Sequence, residues 1–201
     1  MLSSVPGLMS TYTLSVTSRY QACAGEAHWC AVKSILKYLK RTKDMFLIYS
    51  GGELILESYS DASFQSDDDD AESQSGFVFK LNGGVVAWKS SKQDTTTDST
   101  MEAEYIAPSE AAKEAVWMKN YIQELGVVPS IAEPVVIFCD NHGAIAQAKK
   151  PKFHHRSKHI LRRYHLLKEM VSRGDCRMDR VSSTENTADP LTKSMSQIAH
   201  T

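Results

Sequence analysis

PVVIFCD, residues 134–140, is the stretch that most narrows the fold. Val135 to Cys139 run apolar with no polar residue between them. A strand with one wet face alternates apolar and polar side chains, so this one suits burial on both faces, as in a parallel sheet. A parallel strand also needs a crossover before it, usually a helix. The segment MEAEYIAPSEAAKEAVWMKNYIQEL, just upstream, has the pattern of that helix. Ser99 or Thr100 caps it, Glu102 falls in its first turn, and Gly126 stops it after Leu125.

The other strands precede that helix. MFLIYS reads as a short apolar strand. ELILESYSDASF alternates through Leu54, Leu56 and Ser58 and ends at Asp61. FVFKL and VVAWK flank Asn82-Gly83-Gly84, a turn sequence that tolerates positive φ, and form a hairpin. Three strands in succession pair as an antiparallel meander. The 134–140 strand then joins parallel to the first, and CRMDRVSS supplies a fifth. The expected fold is α/β, a five-stranded mixed sheet flanked by helices. Asn141 caps a short helix that Pro151 ends. SKHILRRYHLLKEMVSRG forms a second, basic helix ending at Gly174, and TENTADPLTKSMS is a polar tail with a helical turn near Asp189.

Ahead of the sheet, residues 1–22 show no clear pattern. EAHWCAVKSILKYLKRT places Trp29, Val32, Ile35, Leu36 and Leu39 on one face, which predicts an amphipathic helix from Gly25 to about Thr42. No apolar run reaches membrane-spanning length, and no basic n-region marks a signal peptide. The four cysteines, Cys23, Cys30, Cys139 and Cys176, form no CxxC pair. They are expected to be reduced, in an intracellular protein.

Net charge is −1, yet the charge is unevenly placed. Residues 61–72 hold six acids and no base. Residues 149–168 hold Lys149, Lys150, Lys152, Arg156, Lys158, Arg162, Arg163 and Lys168 and no acid. A basic run of this kind suits phosphates, with salt-dependent and sequence-tolerant binding. A solvated helix face is the plainer alternative. His154, His155, His159 and His165 have no cysteines at finger spacing and read as phosphate-contacting or packing residues. The DDDD run, 67–70, reads as a solvated loop and lacks the spacing of a calcium loop.

Four acids fall at the ends of elements: Asp61, Glu104, Asp140 and Asp189. If the first and fourth strands are parallel neighbours, Asp61 and Asp140 leave the sheet at the same carboxyl edge, where α/β sheets place their sites. Carboxylate clusters suit Mg2+ or Mn2+. Two such ions about 3.5–4 Å apart can hold the attacking water and the leaving oxygen of a phosphodiester. Each acid alone reads more readily as a turn, cap or helix-dipole residue.

SYSDASF, DDAESQSGFVFKLNGGVVAWKSSKQ, STMEAEYIAPSEAAKEAVWMKN, FCDNHGAIAQAKKPKFHHRSKHILRRYHLLKE and TENTADPLTK together resemble one family. It is the ribonuclease H domain of the Pol polyprotein of copia-type LTR retrotransposons, and the likeness runs from about Leu54 to Lys193. TSRYQACAGEAHWCAVKSILKYLKRT resembles the end of the reverse transcriptase before it. The resemblance implies three regions: a reverse-transcriptase remnant over 1–50, a ribonuclease H domain over 51–194, and a tail over 195–201. It also implies two-metal cleavage of the RNA strand of an RNA–DNA hybrid, leaving a 5′-phosphate and a 3′-hydroxyl. By motif, Asp61 of YSDA bridges two Mg2+ ions. Glu104 of AEY (rather than Glu102) and Asp140 of CDN share one ion with it, and Asp189 of ADPLTK holds the other. Lys149, Lys152, Arg156, Lys158, Arg162 and Arg163 would face the hybrid. The remainder of a Pol polyprotein is an implied partner, a cytoplasmic virus-like particle an implied location, and neither a membrane nor a small-molecule cofactor is implied.

Three departures leave a second reading open, that of an inactive relic which at most binds nucleic acid. No paired-aspartate polymerase motif of the YxDD kind occurs, so DNA synthesis is not expected. Ser63 stands where the family usually has a further acid. Pro108 stands where the family has a helix former, one turn after Glu104. Its ring clashes with the Glu104 carbonyl and removes one helical hydrogen bond, at about 3 kcal/mol in a helix interior. The helix is free to kink there and restart, with Ser109 capping the second half. An integrase of related fold is disfavoured, because its acids run Asp, Asp, Glu.

Overall fold

The computed structural model of the chain describes residues 6–49, 54–65, 72–95, 97, 99–126, 128–149 and 158–194. Five strands form one sheet: β1 (Leu56–Ser63), β2 (Gln74–Leu81), β3 (Gly84–Lys92), β4 (Val135–Cys139) and β5 (Cys176–Arg180), in the order β3-β2-β1-β4-β5. β1, β2 and β3 pair antiparallel, and β4 pairs parallel to both β1 and β5. This is the mixed sheet expected from the sequence. The β2–β3 turn places Asn82 at φ 53° and Gly83 at φ 73°, the left-handed pair that a tight hairpin demands.

One face of the sheet carries α3 (Thr100–Leu125), α4 (His142–Lys149) and α5 (Lys158–Arg173). Here Phe77 and Phe79 of β2, Ile137 of β4 and Met178 of β5 pack with Tyr105, Ala111 and Ala115 of α3 and Leu167 of α5. Alanines along α3 bring its backbone close to the sheet. Ala103 and Ala107 meet Ala62 of β1, which seats the first turns of α3 over the end of that strand.

The other face is covered by a helix that the sequence did not announce, α1 (Pro6–Ser18). Its Leu8 is fully buried among Val78, Val85, Ala188 and Leu191. Gly7 admits the Trp88 ring, which a Cβ would meet at 2.8 Å, and Trp88 Nε1 donates to Thr11 Oγ1 at 2.9 Å. The segment has no charges and no clean apolar stripe. Its helicity is decided by the sheet it docks on, not by period. β2 is therefore buried on both faces although it is antiparallel. The expected amphipathic helix is α2 (Glu26–Arg41), and none of its residues is buried.

Two further expectations are corrected. MFLIYS is no strand over its described residues, 45–49. It docks instead by a side chain: the Tyr49 ring lies against Gly84, and its hydroxyl donates to the Val85 carbonyl at 3.0 Å. Pro108 does not divide the helix. α3 is one element from Thr100 to Leu125, with Pro108 buried inside it. Ser109 is not a cap; its Oγ donates to the Ile106 carbonyl at 2.7 Å. Buried side chains from Ala103 to Ala115 hold the helix against the sheet on both sides of the proline, so tertiary packing overrides local propensity.

Pro108→Ala should accordingly stabilise the fold. Relief of roughly 3 kcal/mol of helix penalty outweighs about 0.8 kcal/mol for each of two buried methylenes lost. The net gain expected in a urea melt is on the order of 1 kcal/mol. A loss of stability would show that the ring is an integral part of the packing.

The chain's other breaks are as expected: Ser99 caps α3 through the Glu102 N–H, Gly126 ends it at φ 67°, Asn141 caps α4, and Gly174 ends α5 at φ 78°. The four cysteines are free. No described helix is long and apolar enough to cross a membrane. The DDDD run lies outside the described residues.

Candidate active site

The sheet splays where the acids stand. The β1–β4 ladder ends at Tyr59 opposite Phe138. β4 then stops at Cys139, with Asp140 the next residue. β1 continues two residues past Asp61, to Ser63, because β2 goes on pairing with it. The expectation that this strand ends at Asp61 is corrected by that amount. Asp61 thus stands beyond the parallel ladder, at the carboxyl edge that it shares with Asp140. Glu104 reaches the same edge from above, in the second turn of α3. Gln93, fully buried, fixes that turn: its Nε2 donates to Ser75 Oγ at 2.8 Å and to the Ala103 carbonyl at 3.0 Å.

Asp189 arrives on a single 3-10 turn, Asp189–Leu191, that is stitched to the sheet. Asn186 Nδ2 donates to the Ser60 carbonyl at 3.0 Å, and Ser90 Oγ donates to the Leu191 carbonyl at 2.5 Å. Thr192 Oγ1 donates to Asp61 Oδ2, and Lys193 Nζ is paired with Asp189 Oδ1. The turn can lie this close because β2 has Gly76 opposite Asp61. A Cβ on Gly76 would stand 2.6 Å from the Leu191 Cβ.

The acids are electrostatically unbalanced. Burial pushes the Asp61 carboxyl up to about 7, with Asp140 and Asp189 adding to the rise and the Thr192 hydroxyl and Lys193 opposing it. Burial likewise pushes Glu104 up to about 8, with Asp61 and Asp140 adding to the rise and Lys193 opposing it. Glu104 Oε2 and Asp140 Oδ1 are buried and have no hydrogen-bond partner among the described residues. The other Asp140 oxygen accepts from Ser183 Oγ at 2.7 Å. Buried carboxylate oxygens without donors are costly unless a cation joins them. Oxygens of Glu104 and Asp140 lie within 4.8 Å of one another, together with Cys139 Sγ. Cys139 is no ligand for a hard ion: burial drives its thiol up to about 12, and its sulfur already accepts the Asn141 N–H at 3.4 Å. The donor set that remains is carboxylate oxygen, which fits Mg2+ or Mn2+.

Of the four acids named from the sequence, Glu104 and Asp140 are brought within 4.8 Å, Asp61 interacts electrostatically with both, and Asp189 with Asp61. The basic residues are placed less completely. Lys149 is exposed at the end of α4. Arg163 is paired within the fold, to Glu110 at 3.3 Å and more distantly to Asp94 at 3.8 Å. Lys152 and Arg156, with His154 and His155, lie outside the described residues, as do the side chains of Lys158, His159 and Arg162. Sequence reasoning gave no role to Gln93, Ser183, Asn186, Thr192, Lys193 or Gly76. A glycine inside a strand is a signal of close backbone approach, so Gly76 was open to discovery.

Over 182 residues the chain is 40% identical to the retrovirus-related Pol polyprotein from transposon TNT 1-94 of Nicotiana tabacum, a match covering 90% of the chain. The chain is similar over most of its length to a segment of the retrovirus-related Pol polyproteins of plant copia-type transposons. This Pol segment spans 14% of the length of that polyprotein. No protein-family model matches it. Among solved structures, LC11 ribonuclease H1, isolated from compost, superposes with a TM-score of 0.50 at 16% identity, over 74% of the segment and 99% of that chain. A foamy viral protease-reverse transcriptase in complex with an RNA/DNA hybrid gives 0.50 at 15% identity, over 85% of the segment and 26% of that chain. The Pol segment has the ribonuclease H fold.

Proposed function

We propose that the Pol segment is a metal-dependent ribonuclease H that cuts the RNA strand of an RNA–DNA hybrid. The observation that carries this reading is the approach of Glu104 to Asp140, each with a buried carboxylate oxygen left without a donor, beside Asp61 and the turn that carries Asp189. Asp61, Glu104 and Asp140 would hold one Mg2+, and Asp61 with Asp189 a second. Two ions held so would polarise the scissile phosphate and lower the pKa of an attacking water.

The chain's own residues prepare that chemistry. Burial of Asp61 and Glu104 keeps bulk water from their carboxylates. Both carboxyls hold protons near neutrality in the metal-free protein and release them when a cation enters. Ser183 fixes the Asp140 carboxylate by one oxygen and leaves the other aimed into the site. Lys149 is exposed for phosphate, and Arg163 would reach a phosphate only by leaving Glu110. The relic reading loses one of its supports, because α3 carries Glu104 as part of a continuous helix.

The test is cleavage of a labelled RNA–DNA hybrid in Mg2+. Cutting is expected from the parent and none from Asp140→Asn. A folded parent that leaves the hybrid intact would favour the relic.

A further inference from the structure

The two halves of the acidic site are not alike. Glu104 Oε2 and Asp140 Oδ1 lack donors, while Asp61 Oδ2 and Asp189 Oδ1 already have them, from Thr192 and Lys193. The satisfied half contains the two acids assigned above to the second ion. Both donors come from consecutive residues of the turn that delivers Asp189. The Lys193 ammonium is only partly exposed, and Lys193 Nζ is the one amine paired with an acid of the site among the described residues.

We propose that Lys193 is a resident counter-ion that occupies the place of the second divalent cation and leaves Asp189 when that cation enters, so that it sets the affinity for the second ion. This inference rests on the two-metal reading. A univalent ammonium beside Asp189 lowers the cost of gathering four acids in a metal-free chain. It also repels an arriving divalent ion and must be displaced by it. The ammonium bears on the whole cluster: it opposes the rise that burial imposes on Asp61 and on Glu104. Ion binding would therefore be stepwise. Glu104 Oε2 and Asp140 Oδ1, which have no donor to displace, would take part in holding the first ion. Asp189, with Asp61, would hold the second only once Lys193 has left it. Thr192 keeps its hydroxyl on Asp61, and a lysine side chain is long and flexible enough to swing to solvent.

The measurement is a Mn2+ titration of the intact chain, following free Mn2+ by its paramagnetic resonance signal, with no nucleic acid present. The parent should bind a tight and a weak ion. Lys193→Gln should leave the tight ion unchanged and tighten the weak one by about tenfold. Lys193→Arg, which keeps the charge and pairs with a carboxylate through two N–H groups, should not tighten it. Thermal melts in chelator should show Lys193→Gln folded and less stable than the parent. A weak ion unchanged or weakened in Lys193→Gln would overturn the proposal, since Lys193 would then merely anchor the turn. No Mn2+ bound by the folded parent or by Lys193→Gln would instead overturn the two-metal reading itself. If Lys193→Gln failed to fold, the same titration of Lys193→Met would decide.

Discussion

Asp61→Asn should abolish hybrid cleavage and, in chelator at alkaline pH, make the protein more stable. The loss of activity follows from the proposed two-ion site, in which Asp61 would hold both ions. Lewis-acid stabilisation is worth several kcal/mol, so a rate loss on the order of a thousandfold or more is expected. The gain of stability follows from the pKa. In the unfolded chain the carboxyl titrates near 4, whereas burial in the fold holds it up at about 7. Between those values the folded state binds a proton that the unfolded state releases. The stabilisation is complete below about pH 4 and is lost as pH rises through the folded value. Above it the parent carries a buried carboxylate whose burial Thr192 and Lys193 offset only in part, and the asparagine does not. At about 1.4 kcal/mol per pH unit, the variant should be ahead by on the order of 2–4 kcal/mol near pH 8.5 and level near pH 4. Glu104, held at about 8, should show the same sign in Glu104→Gln. Excess Mg2+ should reverse the order, because the variant lacks a ligand proposed for both ions and gains less from ion binding. Urea melts at the two pH values, with chelator and with Mg2+, read all of this. A variant less stable than the parent in alkaline chelator would mean that Asp61 is not electrostatically frustrated.

The second large effect is expected from a residue that touches no ion. Gly76→Ala places a Cβ 2.6 Å from the Leu191 Cβ and 3.0 Å from Thr192 Cγ2. The clash is close to the backbone, so the Asp189–Leu191 turn must lift as a unit. Thr192 then leaves Asp61, and Asp189 moves off its station. A displacement of about 1 Å costs on the order of a hundredfold in rate. Overpacking adds about 1–3 kcal/mol of destabilisation. The tight Mn2+ ion of the proposed site, which Glu104 and Asp140 would hold away from the turn, should remain. Wild-type cleavage by Gly76→Ala would show that the turn tolerates the shift.

The order and type of the elements were legible because they rest on local pattern. Val135 to Cys139 run apolar, and all but Phe138 are buried, while Ser99, Gly126, Asn141 and Gly174 mark helix ends through their own hydrogen bonds and φ angles. The four candidate acids could be named as well, because each lies at or near an element boundary. What stayed hidden depends on partners distant in sequence. α1 is helical over a stretch with no amphipathic period, because Leu8 and Thr11 have β3 to dock on. MFLIYS has strand composition, but its described part attaches by the Tyr49 side chain. Pro108 has a local cost that the packing of α3 on the sheet absorbs.

Periodicity and element boundaries are local properties of the chain, and they were enough for a mixed sheet with carboxylates at or near the ends of its elements. Only the tertiary structure decided how those carboxylates are balanced. Thr192 answers Asp61 across 131 residues, Ser183 answers Asp140 across 43, and Glu104 Oε2 is left without a donor. Burial and hydrogen bonding are properties of the packed whole, and no spacing along a chain encodes them.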